Sequence, residues 1–157
     1  MTCLTCELVA KRDSGEAPLW DSIFRTQYWD VVHSYNSELL GWLVVVPRRH
    51  MEAIAEMRVA ESTEFGVLLR DVSATLKEVT GCLKTYVMQF AEHSQHPHVH
   101  FHVVPRMADQ PIERKACKTM AYLGVSDDVR VSEDAMNELG KKIRTLLNEK
   151  QLIMHNE

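Results

Sequence analysis

The period of apolar and polar residues changes several times along this chain, and each change marks an element. Trp20 to Phe24 and Tyr28 to His33 carry aromatic and β-branched residues suited to short strands. Leu39 to Val46 is a stronger one, with Asn36 and Ser37 turning the chain before it. Pro47 cannot donate to a ladder, so pairing is expected to stop there. Arg48-Arg49-His50 then opens a connection that delivers His50 from the end of a sheet element and runs on through a short helical turn at Ala53 to Met57. From Ala60 to Thr80, Phe65, Leu68, Leu69, Val72, Leu76 and Val79 recur at three- and four-residue spacing, and Gly81 follows as a helix stop. Lys84 to Phe90 returns to strand period, and Ala91 to Pro97 is a loop.

His98, His100 and His102 come next, alternating with Val99, Phe101 and Val103. Successive side chains of an extended segment point to opposite faces, so this order predicts a strand with three imidazoles on one side and a core-forming stripe on the other. Met107 to Arg130 is polar and poorly periodic, which predicts a long surface loop with a short element near Ala121 to Val125. Ser132 is a good N-cap with Glu133 and Asp134 behind it. Ala135, Met136, Leu139, Ile143, Leu146 and Leu147 then form one stripe of a final helix. The fold class is α+β, a meander of antiparallel strands interrupted by one long helix.

Composition narrows the function without naming it. At 157 residues, 45% hydrophobic and 25% charged, the chain is expected to form a single domain over 1–157. A net charge of −4 gives no bulk attraction for nucleic acid and leaves open a local basic pocket for a small phosphate ester, so a small partner is expected. No stretch has the length of a membrane span, and the N-terminus lacks the charged and apolar regions of a signal peptide, so a cytoplasmic location is expected. In a reducing compartment the four cysteines, Cys3, Cys6, Cys82 and Cys117, read as metal ligands or small buried hydrophobes before disulfides.

A neutral imidazole is a competent nucleophile near neutral pH, and its phosphoramidate is labile enough to pass a phosphoryl group to water. Phosphorus is therefore the sensible target of this cluster, with neighbouring histidines and amides such as Gln89 spreading the developing charge. The residues also permit a metal site built from the triad itself with His50 or His96. Cys3-Leu-Thr-Cys6 has the gap that lets two thiolates share one tetrahedral metal, and it is equally the spacing of a redox pair. His93 and His96 lie close enough to the triad to touch phosphate or leaving group, or to be solvated loop residues. Arg106 and the pair Arg48-Arg49 divide in the same way between phosphate attraction and solvent.

The run His98-Val-His-Phe-His-Val-Val104, closed by Pro105-Arg106, resembles the signature of the histidine triad family. Thr85-Tyr-Val-Met-Gln89 resembles the strand before the triad in the fragile histidine triad branch, and Leu43 to His50 resembles the family's earlier strand with its terminal histidine. The resemblance runs from Cys3 to Arg106, leaving about 107–157 as a C-terminal extension. It implies an antiparallel sheet of about five strands with one long helix packed on it, a C-terminal helix and a homodimer. It also implies a nucleotidyl hydrolase or transferase acting on the α-phosphate of a dinucleoside polyphosphate, nucleotide ester or phosphoramidate. His100 would form the covalent nucleotidyl intermediate, with His98 tuning the pocket and His102 supporting the phosphate. Gln89, Ser94 and Gln95 would be further substrate contacts, the last two standing where the family carries Gly-Gln-Ser. Proteins of this family that begin with a cysteine pair, and the related galactose-1-phosphate uridylyltransferases, imply a structural zinc on Cys3, Cys6, His50 and His98. Two other functions remain open on these residues: nucleotidyl transfer to a sugar phosphate, and a nucleotide-binding adaptor without turnover. Leu40-Gly-Trp42, in place of the usual Pro-Gly-His, and the lack of a clean ribose-gripping acid near Ser34 and Asn36 set this chain apart.

Overall fold

Val99, Phe101 and Val103 are at most 7% exposed and share one core with Trp29, Val31, Leu43, Val45, Val72, Leu76 and Ile143, as alternation demands. The computed structural model describes residues 2–154. Its sheet has five antiparallel strands: β1 (Phe24–Arg25), β2 (Trp29–His33), β3 (Leu43–Pro47), β4 (Lys84–Met88) and β5 (Phe101–Arg106), in the order β1-β2-β3-β5-β4. One face is covered by α2 (Val59–Thr80) and α3 (Glu133–Met154). Trp29, Phe65 and Phe101 stack there, with centroids 4.7 Å apart for Trp29–Phe65 and 4.3 Å for Phe65–Phe101. Aromatic contacts of this kind add to the area they bury, and they fix α2 behind the triad.

The opposite face carries Val32, Trp42, Val44, Val46 and Val104, packed against Val9 of α1 (Leu4–Asp13) and against Met120, Tyr122 and Leu123. Sequence pattern does not reveal α1, because its only buried residues are Thr5, Val9 and Arg12. Ionic contacts anchor it instead: Arg12 donates to the Asp21 carboxylate at 2.7 Å and lies 3.6 Å from Asp30, all three buried.

Several expected boundaries shift for local reasons. Trp20 to Phe24 opens in a 3-10 turn, Leu19–Asp21, held by Ser22 Oγ on the Pro18 carbonyl and by the Asn137 side chain on the Trp20 N–H, so β1 keeps only two residues. Leu39 to Gly41 turns before β3 begins, and Pro47 is the last paired residue of β3, opposite Trp29, where its missing N–H costs no ladder bond to the neighbouring strands. β4 stops at Met88, short of Gln89. The triad is not all on a paired strand: β5 starts at Phe101, and the extended segment before it is fixed by the Val99 N–H on the Met51 carbonyl at 2.8 Å. The presumed loop of 107–130 holds two 3-10 segments, Ile112–Arg114 and Ala116–Tyr122, and Leu123 bridges to Ser37. α2, the turn at Ile54–Glu56, and α3 with its Ser132 hydroxyl accepting from the Ala135 N–H all follow the sequence pattern.

His33 at the end of β2 is 1% exposed and bonded at both ring nitrogens: Nδ1 donates to the Ser34 carbonyl, and Nε2 accepts the Gly41 N–H. Burial lowers its pKa to about 4. Unfolding restores the ordinary value, so below pH 6.5 the unfolded chain takes up a proton that the folded chain refuses. The associated stability is complete above pH 6.5 and is lost as pH falls toward 4, by up to roughly 3 kcal/mol. Urea unfolding at pH 7 and pH 4.5 is expected to show this loss, and His33→Gln to flatten it; an unchanged slope in the variant would contradict the assignment. The alternation has its own test. Phe101→Ala is expected to cost about 3–5 kcal/mol, while His100→Ala next to it, on the cleft side, costs under about 1 kcal/mol.

Candidate active and metal site

The three triad histidines are each held by a group that can play only one hydrogen-bonding role, and this fixes where each proton sits. His98 Nε2 lies 2.8 Å from the Pro47 carbonyl, an acceptor, so Nε2 carries the proton and Nδ1 is bare. His100 Nδ1 lies 2.8 Å from the His98 carbonyl, so the proton is on Nδ1 and Nε2 holds a free lone pair. His102 Nδ1 lies 3.0 Å from the Trp42 indole N–H, a donor, so this Nδ1 is bare and the neutral ring carries its proton on Nε2. Burial lowers the pKa of His98 and takes that of His102 to about 4, with His100 adding to both, so the two rings stay neutral near pH 7.

The bare Nδ1 of His98 faces sulfur. It lies 3.5 Å from Cys6 Sγ and 3.9 Å from Cys3 Sγ, while His50 Nδ1 is 3.2 Å from Cys6 Sγ. All four ligand atoms fall within 4.8 Å of one another. Tetrahedral bonds of about 2.1 Å to nitrogen and 2.3 Å to sulfur put ligand atoms about 3.5 Å apart, so the set suits one tetrahedral ion. His50 Nε2 donates to Glu52 at 3.3 Å, the outer carboxylate that orients such a ligand. Burial pushes the Cys6 thiol up to about 11 and the Cys3 thiol adds to it, whereas at Cys3 burial is outweighed by hydrogen bonds from Cys6 and His50 and the pKa falls. A cation held between the two sulfurs would favour the thiolate form of both. Cys3, Cys6, His50 and His98 are thus brought together as expected, with the cysteines at the start of α1 and His50 just past β3.

Two clefts meet at His100 and His102. The larger, about 560 Å³, is lined by Thr5, Arg12, Trp20, His33, Ser34 and Tyr35 among others, together with His93 and His96. The smaller, about 390 Å³, is lined by Phe90, Ala91, Glu92, His93 and Met120. His93, His100 and His102 line both. Arg12 is the larger cleft's only arginine or lysine among the described lining residues, and its charge is committed to Asp21 and Asp30.

Of the other expected substrate contacts, Gln89 is half-buried just after β4, and Ser94 and Gln95 are exposed in a turn; none of the three lines either cleft. That loop presents His93 and His96 instead, the latter bonded to Thr5 Oγ1 at 2.8 Å, while the Gln95 carbonyl accepts the Leu4 N–H. Burial lowers the His96 pKa, and His93 and His100 add to this. Arg49 pairs with Glu61, Arg48 donates to the Gln27 carbonyl and Arg106 to the Met107 carbonyl, so these arginines serve the scaffold. Sequence reasoning missed His33 and Trp42 as parts of the site. Trp42 shares the parity of Val44 and Val46 and thereby the face on which the triad opens, which is the signal that could have found it.

Comparison with known proteins agrees with this geometry. No curated protein matches the chain. Among solved structures, a zinc-bound histidine triad family protein from Mycobacterium smegmatis superposes with TM-score 0.67 at 18% identity, covering 98% of each chain. A Hit-like protein involved in cell-cycle regulation from Bartonella henselae gives 0.65 at 18% identity over 87% of this chain and 93% of that one. The Plasmodium falciparum diadenosine triphosphate hydrolase gives 0.61 at 15% identity over 82% and 76%. A model of the HIT domain matches residues 21–109, which span the sheet, α2 and the triad. With that match over more than half of its length, and with the fold and the alternating histidines to go with it, the chain belongs to the HIT domain family.

Proposed function

We propose that the protein is a nucleotidyl hydrolase or transferase that cleaves a dinucleoside polyphosphate, nucleotide ester or phosphoramidate at the α-phosphate through a covalent nucleotidyl-His100. The observation that carries this reading is the bond from His100 Nδ1–H to the His98 carbonyl, which leaves the Nε2 lone pair facing the junction of two clefts. Nε2 attacks phosphorus, and the bond from phosphorus to the leaving group breaks. Water, or another acceptor, then attacks the phosphoramidate and returns the electron pair to His100. His102 Nε2–H donates to a non-bridging oxygen as charge grows there. His93 and His96 line the cleft beside His100 and are placed to meet the departing group. His98 acts through its carbonyl, so it is a positioning residue rather than a catalytic one.

The clefts on either side of His100 and His102 suit a substrate with a body on each side of the scissile bond, which favours a dinucleotide over a small ester. The large cleft lacks an uncommitted cation among its described lining residues, so phosphate recognition falls to neutral N–H donors. Zinc on Cys3, Cys6, His50 and His98 would be structural, since four protein ligands leave no open position; when bound it neutralises the thiolates and ties α1 to the triad. We also propose that residues 1–157 form one domain, because α1 and α3 both pack on the sheet. A homodimer in a reducing, cytoplasm-like compartment completes the reading. It is supported by β4, an edge strand flanked by exposed Leu83 and Phe90 and carrying exposed Val87, and by the free thiols. Among the described residues no helix is long and apolar enough to cross a membrane.

A panel of mono- and dinucleotide substrates, phosphoramidates included, is expected to reveal turnover and a nucleotide adduct on His100, with His100→Ala losing about 10⁴-fold or more in kcat. Absence of both turnover and adduct across the panel would leave a nucleotide-binding protein and overturn the enzymatic reading. Metal analysis is expected to find about one zinc per chain. Cys3→Ser should lose it with a drop in Tm, and His100→Ala should keep it. Loss of metal from His100→Ala would instead place the ion in the triad.

A further inference from the structure

We infer that Trp42 is a positioning residue for the phosphate-binding step: its indole N–H locks the ring and the tautomer of His102, so that His102 always offers Nε2–H to the substrate. The inference deepens the proposed nucleotidyl transfer and rests on it for its kinetic consequence, but the lock itself is a property of the resting protein. Nε1–H of an indole can only donate, and it lies 3.0 Å from His102 Nδ1 with the two rings nearly perpendicular, at 77°. Trp42 is fully buried and His102 is 8% exposed. The backbone of His102 is paired on both sides, to Val44 in β3 and to Met88 in β4, so the side chain has little freedom beyond rotation of its ring.

That rotation is what the indole removes. A flipped imidazole would turn carbon toward the indole N–H and leave a buried donor unpaired, which costs far more than a net hydrogen bond contributes. Nε2 makes no hydrogen bond to any described protein group, and His102 lines both clefts, so Nε2–H is the polar group left to meet a ligand. In a cleft where Arg12, the only arginine among the described lining residues, is already ion-paired, a donor that needs no reorganisation is worth more than one that must be turned into place.

The segment before Trp42 is built to hold it. Gly41 has φ +93, a left-handed conformation, and a Cβ there would lie 3.3 Å from each of Leu76, Thr80 and Pro105. Its N–H is the donor accepted by buried His33 Nε2 at 2.9 Å. His33, Gly41 and Trp42 therefore form one connected support for the His102 ring.

The lock is tested first in the resting, ¹⁵N-labelled protein. A scalar coupling across the hydrogen bond is expected between Trp42 Nε1 and His102 Nδ1, with His102 protonated at Nε2; absence of the coupling or a proton on Nδ1 would overturn the inference whether or not any nucleotide is cleaved. Trp42→Phe is then expected to lower kcat by roughly tenfold to a hundredfold with KM little changed, and Trp42→His, which restores a ring donor, to recover most of it. A Trp42→Phe protein with wild-type kcat would overturn the inference. Should Trp42→Phe fail to fold, site-specific replacement of Trp42 by benzothienylalanine, which keeps the bicyclic shape and lacks the N–H, gives the same readout. If the wild-type protein shows neither turnover nor adduct, the proposed function fails separately, and the coupling and the His102 protonation site in the resting protein remain the readout that decides the lock.

Discussion

The hydrogen bond from His98 Nε2 to the Pro47 carbonyl fixes three things at once, because one buried side chain stands where a strand end, a metal-ligand cluster and a reaction site meet. It leaves His98 Nδ1 bare for the thiols of Cys3 and Cys6. It holds the residue whose carbonyl accepts the His100 Nδ1–H, the bond that leaves His100 Nε2 with a free lone pair. It also ties the end of β3 to the segment entering β5, two strands that pair through only three residue pairs, Leu43 to Val103 through Val45 to Phe101. Breaking it would expose a carbonyl without a partner in the core and would loosen the orientation of the next imidazole. A single acceptor thus couples the fold to the Cys3, Cys6, His50 and His98 cluster and to the orientation of His100.

Around that point the protein uses neutral polar groups where a phosphate site commonly carries positive charge. The arginines near the site are paired with carboxylates or backbone carbonyls, and the buried histidines have pKa values moved down by desolvation. Buried charges would need partners of their own, whereas imidazoles with one nitrogen bonded to the protein and one facing the cleft are already satisfied. Such donors gain strength in a site shielded from water and need no rearrangement when charge develops on phosphorus. The same economy holds at the metal cluster, where Glu52 orients His50 from outside.

Much of this was readable from the chain. Val99, Phe101 and Val103 against His98, His100 and His102 gave the two faces directly, because period two has no other efficient solution beside a core. The α2 and α3 stripes were equally plain. The helix α1 escaped because Arg12, Asp21 and Asp30 hold it through long-range ion pairs that leave no periodic trace, and the Trp20 to Phe24 segment misled because Trp20 serves a turn fixed by Ser22 and Asn137. Ser94 and Gln95 were expected at the phosphate from resemblance alone, and Gln89 from resemblance together with its value as an amide donor. Their places depend on how the loop leans on α1 through Leu4 and Thr5, which no local pattern encodes. Trp42 looked like a departure from the family and proved to be the partner of His102.

The central claim is that the α-phosphate passes through His100, which makes the reaction two in-line displacements at phosphorus. Its most direct test is the stereochemical course of hydrolysis, measured with a substrate whose α-phosphorus is chiral by sulfur and oxygen-isotope substitution. Two displacements invert the centre twice, so the product is expected to show retention of configuration. Inversion would mean that water attacks phosphorus directly and would contradict the assignment of His100 as nucleophile.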